Sequence, residues 1–538
     1  MSVPAQHQRG GLRLALIMAA LCMAVVLTGM DQTILATATP VISNEFRTLQ
    51  DLGWWTNAYL LTLSSFQLFY GKLYSLFSIK LVYLAAIAIF EAGTLICTLA
   101  NNSVTLIIGR AVAGLGAAGI FSGGILITTK IIPLARRAVY LGVMSGAFGL
   151  AAIVGPFLGG VLADRATWRW CFGINLPLGA VTVVLCVLFV HTPVDPSLRS
   201  VRMASKMKQL DIPGIVCMVA SSICLLMALQ SGGSMWPWSD RRIIALLIFS
   251  AVLAVFFVLV QTTSIAGEAR TIPPSLSRNR DVWLAAGYAM CTTGGVYVPV
   301  LYLPVWFQTV RGQSALVAGA MLTPLIASYV ACSVVAGALT TMTGYYNPGM
   351  IIGTALAIAG AAVLTTLNID ASTARAVGYQ LLYGFGIGFA FGQPSYVVQT
   401  LLPEADVPVG VTFITLVQNL SASVFVAVAQ SIFQGGLRSR LRQELPGVDL
   451  SPILDSGLSN FRSSLPQDKQ LAGLRAFSAS LVTTFYISLA LSAVSAVGAL
   501  GIRWVSMKPG YSQAPAETSQ TCQQEEEAGT KERDTNQQ

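Results

Sequence analysis

Three charged residues lie inside long apolar runs of this chain, where charge is otherwise nearly absent. Asp31 lies in LTGMDQTILATATP, Glu91 in AAIAIFEAGTLIC and Arg110 in VTLIIGRAVAGLG. A charge at the centre of a bilayer costs about 2.5–3.5 kcal/mol on insertion scales, so it persists only beside a partner or in a water-filled cavity. If these runs cross a membrane, the three residues indicate an ion or substrate pathway.

The chemistry available to these residues is proton transfer. Arginine stays ionised in almost any environment, so Arg110 needs a nearby acid or anion. Burial favours the neutral form of a carboxylate, and an approaching guanidinium favours the ionised form, so an acid that meets Arg110 intermittently can take up and release a proton. Asp31 is the preferred carrier and Glu91 the second candidate. The alternatives are a solvated helix-end residue for Asp31, a structural ion-pair partner for Glu91 and a static packing charge for Arg110.

Composition places these runs in a membrane. The chain has 538 residues, 54% of them apolar and only 10% charged, with a mean hydropathy of +0.68. A soluble protein carries about 25% charged residues. The net charge of +9 favours basic loops that face anionic lipid, without the basic and aromatic patches of a nucleic-acid binder. There is no GxxxxGK[ST] motif and no cluster of metal-ligand residues, so we predict no ATP hydrolysis, no cofactor, no metal site and no catalytic residues.

Fourteen apolar runs are long enough to cross a bilayer, which takes about 20 residues of helix. Their continuous apolar character predicts an all-α integral membrane protein. The predicted spans are 13–37, 54–77, 81–100, 104–128, 139–162, 172–191, 211–230, 242–262, 282–306, 315–339, 348–367, 374–397, 409–433 and 477–503.

The spans divide into six, two and six, which predicts two related halves with a cavity between them and two inserted helices. Five segments follow from this division: an N-terminal tail, a first half, a basic linker with the inserted pair, a second half that includes an external loop at 434–476, and a disordered C-terminal tail. Their bounds are 1–12, 13–191, 192–270, 271–508 and 509–538.

Basic residues predict the orientation, because cytoplasmic loops carry the excess of lysine and arginine. Sixteen basic residues flank one side of the predicted spans and seven flank the other. Both termini are therefore expected in the cytoplasm of a multi-pass membrane protein. The seven on the opposite side are Arg47, Arg165, Arg169, Arg241, Arg242, Arg311 and Arg375.

The fifth span carries small residues at four-residue spacing. It reads GVMSGAFGLAAIVGPFLGG. Such spacing lets helices approach closely, and the proline bends the helix because it lacks an N–H. A tightly packed, kinked helix is suited to a gate, although ordinary small-residue packing is the alternative. The predicted gate residues are Gly142, Gly146, Gly155, Pro156, Gly159 and Gly160.

This span resembles the antiporter motif of the major facilitator superfamily, and further matches run through most of the chain. They resemble motifs of the fourteen-span drug:proton antiporters, in which the fourth-span arginine is linked to proton coupling, and of the fungal toxin and multidrug efflux pumps. The segments are MDQTILATATP (30–40), RAVAGLG (110–116), WRWCFGINLP (168–177), LYLPVWFQ (301–308) and GFGIGFAFGQP (384–394).

The loop after the second span departs from the family pattern. It reads GKLYSLFSIK from Gly71 to Lys80, with Ser75 where the family has an aspartate that helps hold the cytoplasmic side shut. Gating on that side is therefore expected to use other contacts, made by Lys80 or by Arg136 and Arg137. The matching loop of the second half, GALTTMTG, has no charge.

The apolar runs of the second half contain amides and aromatic rings where the first half has charges. A neutral, aromatic wall suits a bulky hydrophobic compound, and amides bind substrate at less cost than a charge. The alternative for each is bridging or packing between helices. The candidate cavity residues are Gln308, Gln393, Gln418, Asn419, Tyr302 and Trp306.

The sequence and the resemblance together predict a monomeric exporter in the plasma membrane. Its partners would be protons, the lipid bilayer and a hydrophobic drug or fungal secondary metabolite, with alternating access driven by the proton gradient. The alternatives are a vacuolar importer of basic amino acids or a siderophore transporter of the same superfamily. A non-transporting receptor or scaffold is the alternative from another class.

Overall fold

The computed structural model describes residues 11–48, 51–132, 134–190, 212–232, 236–262, 274–403, 406–445, 461–465 and 469–507. Their regular secondary structure is helical. The helices are α1 (Gly11–Phe46), α2 (Leu52–Leu76), α3 (Ile79–Thr98), α4 (Ser103–Ile131), α5 (Leu134–Arg165), α6 (Trp170–Gly173), α7 (Asn175–Phe189), α8 (Ile212–Ser231), α9 (Arg241–Thr262), α10 (Pro274–Ser277), α11 (Arg280–Thr309), α12 (Ala315–Thr343), α13 (Asn347–Leu364), α14 (Thr373–Phe391), α15 (Gln393–Leu401), α16 (Val407–Glu444), α17 (Phe461–Ser464) and α18 (Gln470–Gly501).

Every predicted span coincides with one helix or with two consecutive helices. Within the described residues, eleven helices are long and apolar enough to cross a membrane. The predicted span 374–397 is interrupted, because α14 ends before Gly392 and α15 begins at Gln393-Pro394. Proline at the start of a helix cannot donate the backbone hydrogen bond that would continue the preceding one.

Helices extend into both ends of the predicted external loop at 434–476, whose location outside the membrane stays a prediction. Helix α16 continues to Glu444 and α18 begins at Gln470. The extension of α16 is amphipathic, with Leu437, Leu441 and Leu445 buried at four-residue spacing. These leucines belong to a buried cluster that also contains aromatic side chains from α16, α17 and α18, so packing sustains helix where the sequence is polar.

The helices pack in two groups that contact each other through a few pairs. Within the first group, α1 packs on α5 and α7, and α4 packs on α2 and α3. Within the second, α14 packs on α12 and α13, and α11 packs on α16 and α18. The groups meet where α5 contacts α12, α2 contacts α16, and α1 contacts α11. Helices α8 and α9 pack on each other, and α8 also contacts α2 and α16.

Chain direction defines two ends of the bundle. We call the end that carries connections 47–51, 99–102 and 310–314 the upper end, and the end that carries 77–78 and 344–346 the lower end. We call the contact between α5 and α12 the seam.

Helix α5 uses two faces of its small-residue run. A Cβ atom on Gly155 would collide with Thr33 of α1, and one on Gly159 would lie 2.6 Å from Ile34 O of the same helix. A Cβ on Gly160 would lie 2.6 Å from Ala315 O at the start of α12. The run therefore packs closely against two helices at once: α1 of the first group and α12 of the second group.

The seam is closely packed from the middle of α5 to its upper end. Halfway along α5, a Cβ on Gly149 would lie 3.0 Å from Val330 of α12. Three residues earlier, less than one helical turn away, Gly146 is exposed and a Cβ there would meet no atom within 4 Å. The close approaches of α5 glycines to α12 thus lie at Gly149 and Gly160.

A carboxylate closes the upper end of the seam. Asp164, near the end of α5, accepts hydrogen bonds from the backbone amides of Ala315 (3.1 Å) and Leu316 (2.7 Å). The hydroxyl oxygen of Ser314 accepts a hydrogen bond from another amide of this turn, Val317 N. The first turn of a helix leaves amides without partners and carries positive partial charge, so an acid from the other group satisfies both needs.

We expect Gly155→Leu to abolish transport while the protein still reaches the membrane, because the side chain must separate α5 from α1. Gly378→Leu is the matched control, since Gly378 is an exposed helical glycine whose Cβ would meet nothing within 4 Å. Membrane abundance by immunoblot and substrate export should be compared for both. Full export by Gly155→Leu would contradict a role for this packing.

Candidate functional site

A buried ion pair joins α1 to α4 in the first group. One guanidinium nitrogen of Arg110, Nη1, lies 2.5 Å from Oδ2 of Asp31. Both side chains are 1% exposed. The structure thus brings together the two residues that the sequence proposed for proton coupling. Removing one partner of such a buried pair costs about 3–5 kcal/mol, because the other charge is left without compensation.

Arg110 also ties α2 and α6 to this pair. Its Nε donates to the carbonyl oxygen of Trp55 at 2.9 Å, and Nη1 lies 3.5 Å from the carbonyl oxygen of Asp31. The guanidinium stands 4.4 Å from the ring centroid of Tyr59 and 5.7 Å from that of Phe172. A planar fork with several donors makes all these contacts at once, which an ammonium group cannot do.

The pair borders the second group. The second carboxylate oxygen of Asp31, Oδ1, is buried and has no hydrogen-bond partner among the described residues. The next residue, Gln32, accepts a hydrogen bond at 3.0 Å from the hydroxyl of Tyr297 on α11. A shift of α1 near Asp31 would therefore alter the hydrogen bond between Gln32 and Tyr297 of the second group.

Glu91 makes no ion pair with Arg110 and no hydrogen bond to the Asp31–Arg110 pair. It lies on α3 and faces α7, where its carboxylate fills the space that a Cβ on Gly179 would need. Both carboxylate oxygens are buried and without hydrogen-bond partners among the described residues. Glu91 therefore lies in a notch within the first group, and Arg110 pairs with Asp31 instead.

Two candidate residues of the lower loop, Lys80 and Gly71, are described, and both lie in the first group. Lys80 donates from Nζ to the carbonyl oxygen of Val187 at 2.6 Å, which satisfies an unpaired carbonyl at the end of α7. Gly71 is exposed with open space around it. Arg136 and Arg137 lie on α5, and their side chains lie outside the described part of the chain.

Two of the candidate amides bridge the two groups. Gln308 Nε2 donates to Thr37 O at 3.1 Å, from α11 to α1. Asn419 Nδ2 donates to Gln67 Oε1 at 3.1 Å, from α16 to α2. Both bonds would break or adjust if the groups rotated against each other, because they join the two groups directly.

The other four candidates bond within the second group. Gln418 donates to Phe391 O at 3.4 Å, and Gln393 accepts from Thr340 at 3.2 Å. The remaining contacts are Tyr302 OH to Gln430 Oε1 at 2.8 Å and Trp306 Nε1 to Ser478 Oγ at 2.9 Å. These geometries join helices, and binding of substrate by the same side chains stays a prediction.

Sequence reasoning missed two acidic residues at the upper end. Asp164 caps α12, and Glu45 accepts hydrogen bonds from Trp168 Nε1 (2.5 Å) and Arg169 Nη2 (2.8 Å). Both residues lie beside predicted loops, where a charged side chain is usually solvated. A usable signal for Asp164 was present, because Ser314 marks a helix start and a helix start attracts an acid.

An internal repeat relates α4 to α14. Gly114 of α4 packs closely on α2 and Gly116 on α3, while Gly384 of α14 packs on α12 and Gly386 on α13. The same Gly-x-Gly spacing therefore makes equivalent contacts in the two groups.

This repeat assigns a counterpart to Arg110. The arginine precedes Gly114 by four residues, and Gln380 precedes Gly384 by four. Gln380 is fully buried and donates only to Ala376 O on its own helix at 3.3 Å, while its Oε1 has no partner among the described residues. The second group thus holds a neutral amide where the first holds a guanidinium.

Comparison with known proteins agrees with this geometry. Residues 21–426 match the Major Facilitator Superfamily. The chain is 44% identical to the MFS thioclapurine efflux transporter tcpA of Claviceps purpurea (strain 20.1), over 94% of this chain and 93% of that protein. It is 41% identical to the efflux pump aflT of Aspergillus parasiticus (strain ATCC 56775 / NRRL 5862 / SRRC 143 / SU-1), over 93% and 97%.

Solved structures share the fold at low identity. A bacterial homolog of the human lysosomal transporter Spinster, in an inward-facing and unoccupied conformation, matches with a TM-score of 0.61 at 15% identity, over 92% of this chain and 99% of that one. A D-xylose-proton symporter matches with a TM-score of 0.60 at 13% identity, over 92% and 99%. The chain belongs to the Major Facilitator Superfamily.

Proposed function

We propose that this protein is a proton-driven efflux transporter in the plasma membrane that exports a bulky hydrophobic metabolite or drug. The buried Asp31–Arg110 pair is the observation that carries the proposal. A carboxylate that can be neutralised by a proton is held against a permanent cation, so protonation weakens one specific joint between α1 and α4.

The orientation of the seam determines what export requires of it. With both termini in the cytoplasm, the upper end faces outside, where Asp164 and Gly160 hold α5 against α12. The lower end then faces the cytoplasm. Export requires the contact at the upper end to open so that substrate is released outside.

The substrate class follows from the distribution of charge and from the relatives. The counterpart of Arg110 in the second group is the neutral Gln380, and the candidate residues that bridge the two groups are the amides Gln308 and Asn419. Relatives 39–44% identical to this chain are named efflux pumps or efflux transporters, one of them for thioclapurine. A weakly charged secondary metabolite fits both observations.

Transport under an imposed pH gradient tests the coupling role of Asp31. Asp31→Asn keeps the shape of the side chain but cannot exchange a proton, so we expect gradient-driven efflux from proteoliposomes to stop. Glu91→Gln is the comparison, because Glu91 makes no ion pair with Arg110 and we expect its neutral variant to keep gradient-driven efflux. The probe is a fluorescent hydrophobic compound that the wild type exports from a pump-deficient host.

Either of two results would revise this proposal. If Asp31→Asn still pumps and Glu91→Gln does not, Glu91 carries the proton. If both neutral variants pump, proton antiport through the first group is wrong and facilitated diffusion describes the activity better.

Arg110 is expected to tolerate no replacement. Arg110→Lys keeps a charge but cannot hold Asp31 and the Trp55 carbonyl together, and Arg110→Ala leaves a buried carboxylate without its partner. We expect at least a ten-fold loss of efflux rate for the lysine variant and a larger loss, with lower melting temperature, for the alanine variant. Wild-type efflux by Arg110→Lys would show that charge alone suffices.

The orientation has its own test. Tags placed at residues 1 and 538 should both resist protease added to intact cells, because the basic loops place both ends inside. A tag in the 446–460 segment, between α16 and α17, should be cleaved. Cleavage of either terminal tag from outside would overturn the fourteen-span orientation.

A further inference from the structure

Thr37 of α1 is the meeting point of four helices from both groups. Its hydroxyl oxygen lies 3.1 Å from Pro156 O on α5 and 3.2 Å from Ile34 O on its own helix. Its carbonyl oxygen accepts the hydrogen bond of Gln308 Nε2 on α11 at 3.1 Å. The residue is fully buried, so these bonds form away from water.

The fourth helix is α12, which contributes Gly319. A Cβ at Gly319 would collide with Pro156 O and lie 3.2 Å from the methyl carbon of Thr37. The backbone of α12 thus approaches the same proline carbonyl that the threonine hydroxyl reaches. Helices α1, α5 and α12 therefore meet at the carbonyl oxygen of Pro156.

Thr37 also lies on the helix that carries the charge pair. It follows Asp31 by six residues, which is about 9 Å along a helix. Between them, Thr33 and Ile34 fill the notches of Gly155 and Gly159 on α5. A displacement of α1 that follows loss of the Asp31–Arg110 bond must therefore change the contacts that Thr37 makes.

The hydroxyl can change partner without being left unpaired. It has one proton and two acceptors within reach, Pro156 O on the neighbouring helix and Ile34 O on its own. When α1 shifts away from α5, the proton can turn fully to Ile34 O, as threonine hydroxyls commonly do in helices. The contact to Pro156 is therefore one that can be made and released repeatedly.

We propose that Thr37 is a positioning residue that couples the protonation state of Asp31 to closure of the upper α5–α12 seam. This inference rests on the proposed proton-driven function. The titratable and charged groups that surround the Asp31 end of this link are Arg110, Tyr59, Glu91, Cys97 and Tyr297.

Hydrogen exchange of the α12 amides measures closure directly, because Asp164 protects Ala315 N and Leu316 N only while the seam is closed. In the full-length protein in lipid nanodiscs, Thr37→Val should speed exchange of the first turn of α12 by roughly five-fold, the effect of losing one buried hydrogen bond. Thr39→Val is the matched control, since the buried Thr39 hydroxyl bonds only Leu35 O on its own helix, at 2.7 Å. Thr37→Ser keeps the hydroxyl and should behave as the wild type does.

A double-mutant cycle with Asp31→Asn separates coupling from simple packing. In the wild-type background Asp31→Asn should change exchange of the α12 amides, and in the Thr37→Val background it should change it much less. Equal effects of Asp31→Asn in the two backgrounds would overturn the inference, as would unchanged exchange in Thr37→Val.

The readouts keep this inference distinct from the proposed function. If Asp31→Asn stops gradient-driven efflux but the cycle is additive, proton coupling stands and Thr37 has no part in it. If Asp31→Asn still pumps and the cycle is non-additive, Thr37 links α1 to the seam but Asp31 is not the proton carrier, and the inference as stated is wrong.

Discussion

The buried bond between Asp31 and Arg110 is the interaction on which the organisation of the first group depends. Two charges that are 1% exposed persist only because they face each other and because the arginine is satisfied by a carbonyl and an aromatic ring. Since Arg110 contacts α1, α2 and α6 from α4, the pair sets the relative positions of four helices. Any proton that reaches Asp31 changes the electrostatic balance of all of them.

The small residues of α5 link the helix that carries Asp31 to the second group. Gly155 and Gly159 hold α1, the helix of Asp31, while Gly160 and Asp164 hold α12. A helix with larger side chains could serve one of these neighbours but not both at such close approach. The proposed mechanism requires this kind of link, because Asp31 and the α5–α12 seam lie on different helices.

The two halves of the molecule share a framework but differ in charge. The Gly-x-Gly repeats of α4 and α14 make equivalent contacts, yet Arg110 is matched by the neutral Gln380. Charge in the membrane is costly, so one buried ion pair at this level is less demanding than two. The second half is free of that cost at this position.

The sequence by itself determined the helical class and the spans and showed that Arg110 needs a partner, because long apolar runs must cross the bilayer as helices and a charge within them must be paired. Tertiary structure decided what these rules leave open. Asp31 rather than Glu91 pairs with Arg110 because α1 packs against α4 at that level, and Glu91 points instead at Gly179 of α7. Asp164 caps the start of α12 only because folding brings the end of α5 to Ala315, 151 residues later in the chain, a proximity that no local pattern encodes.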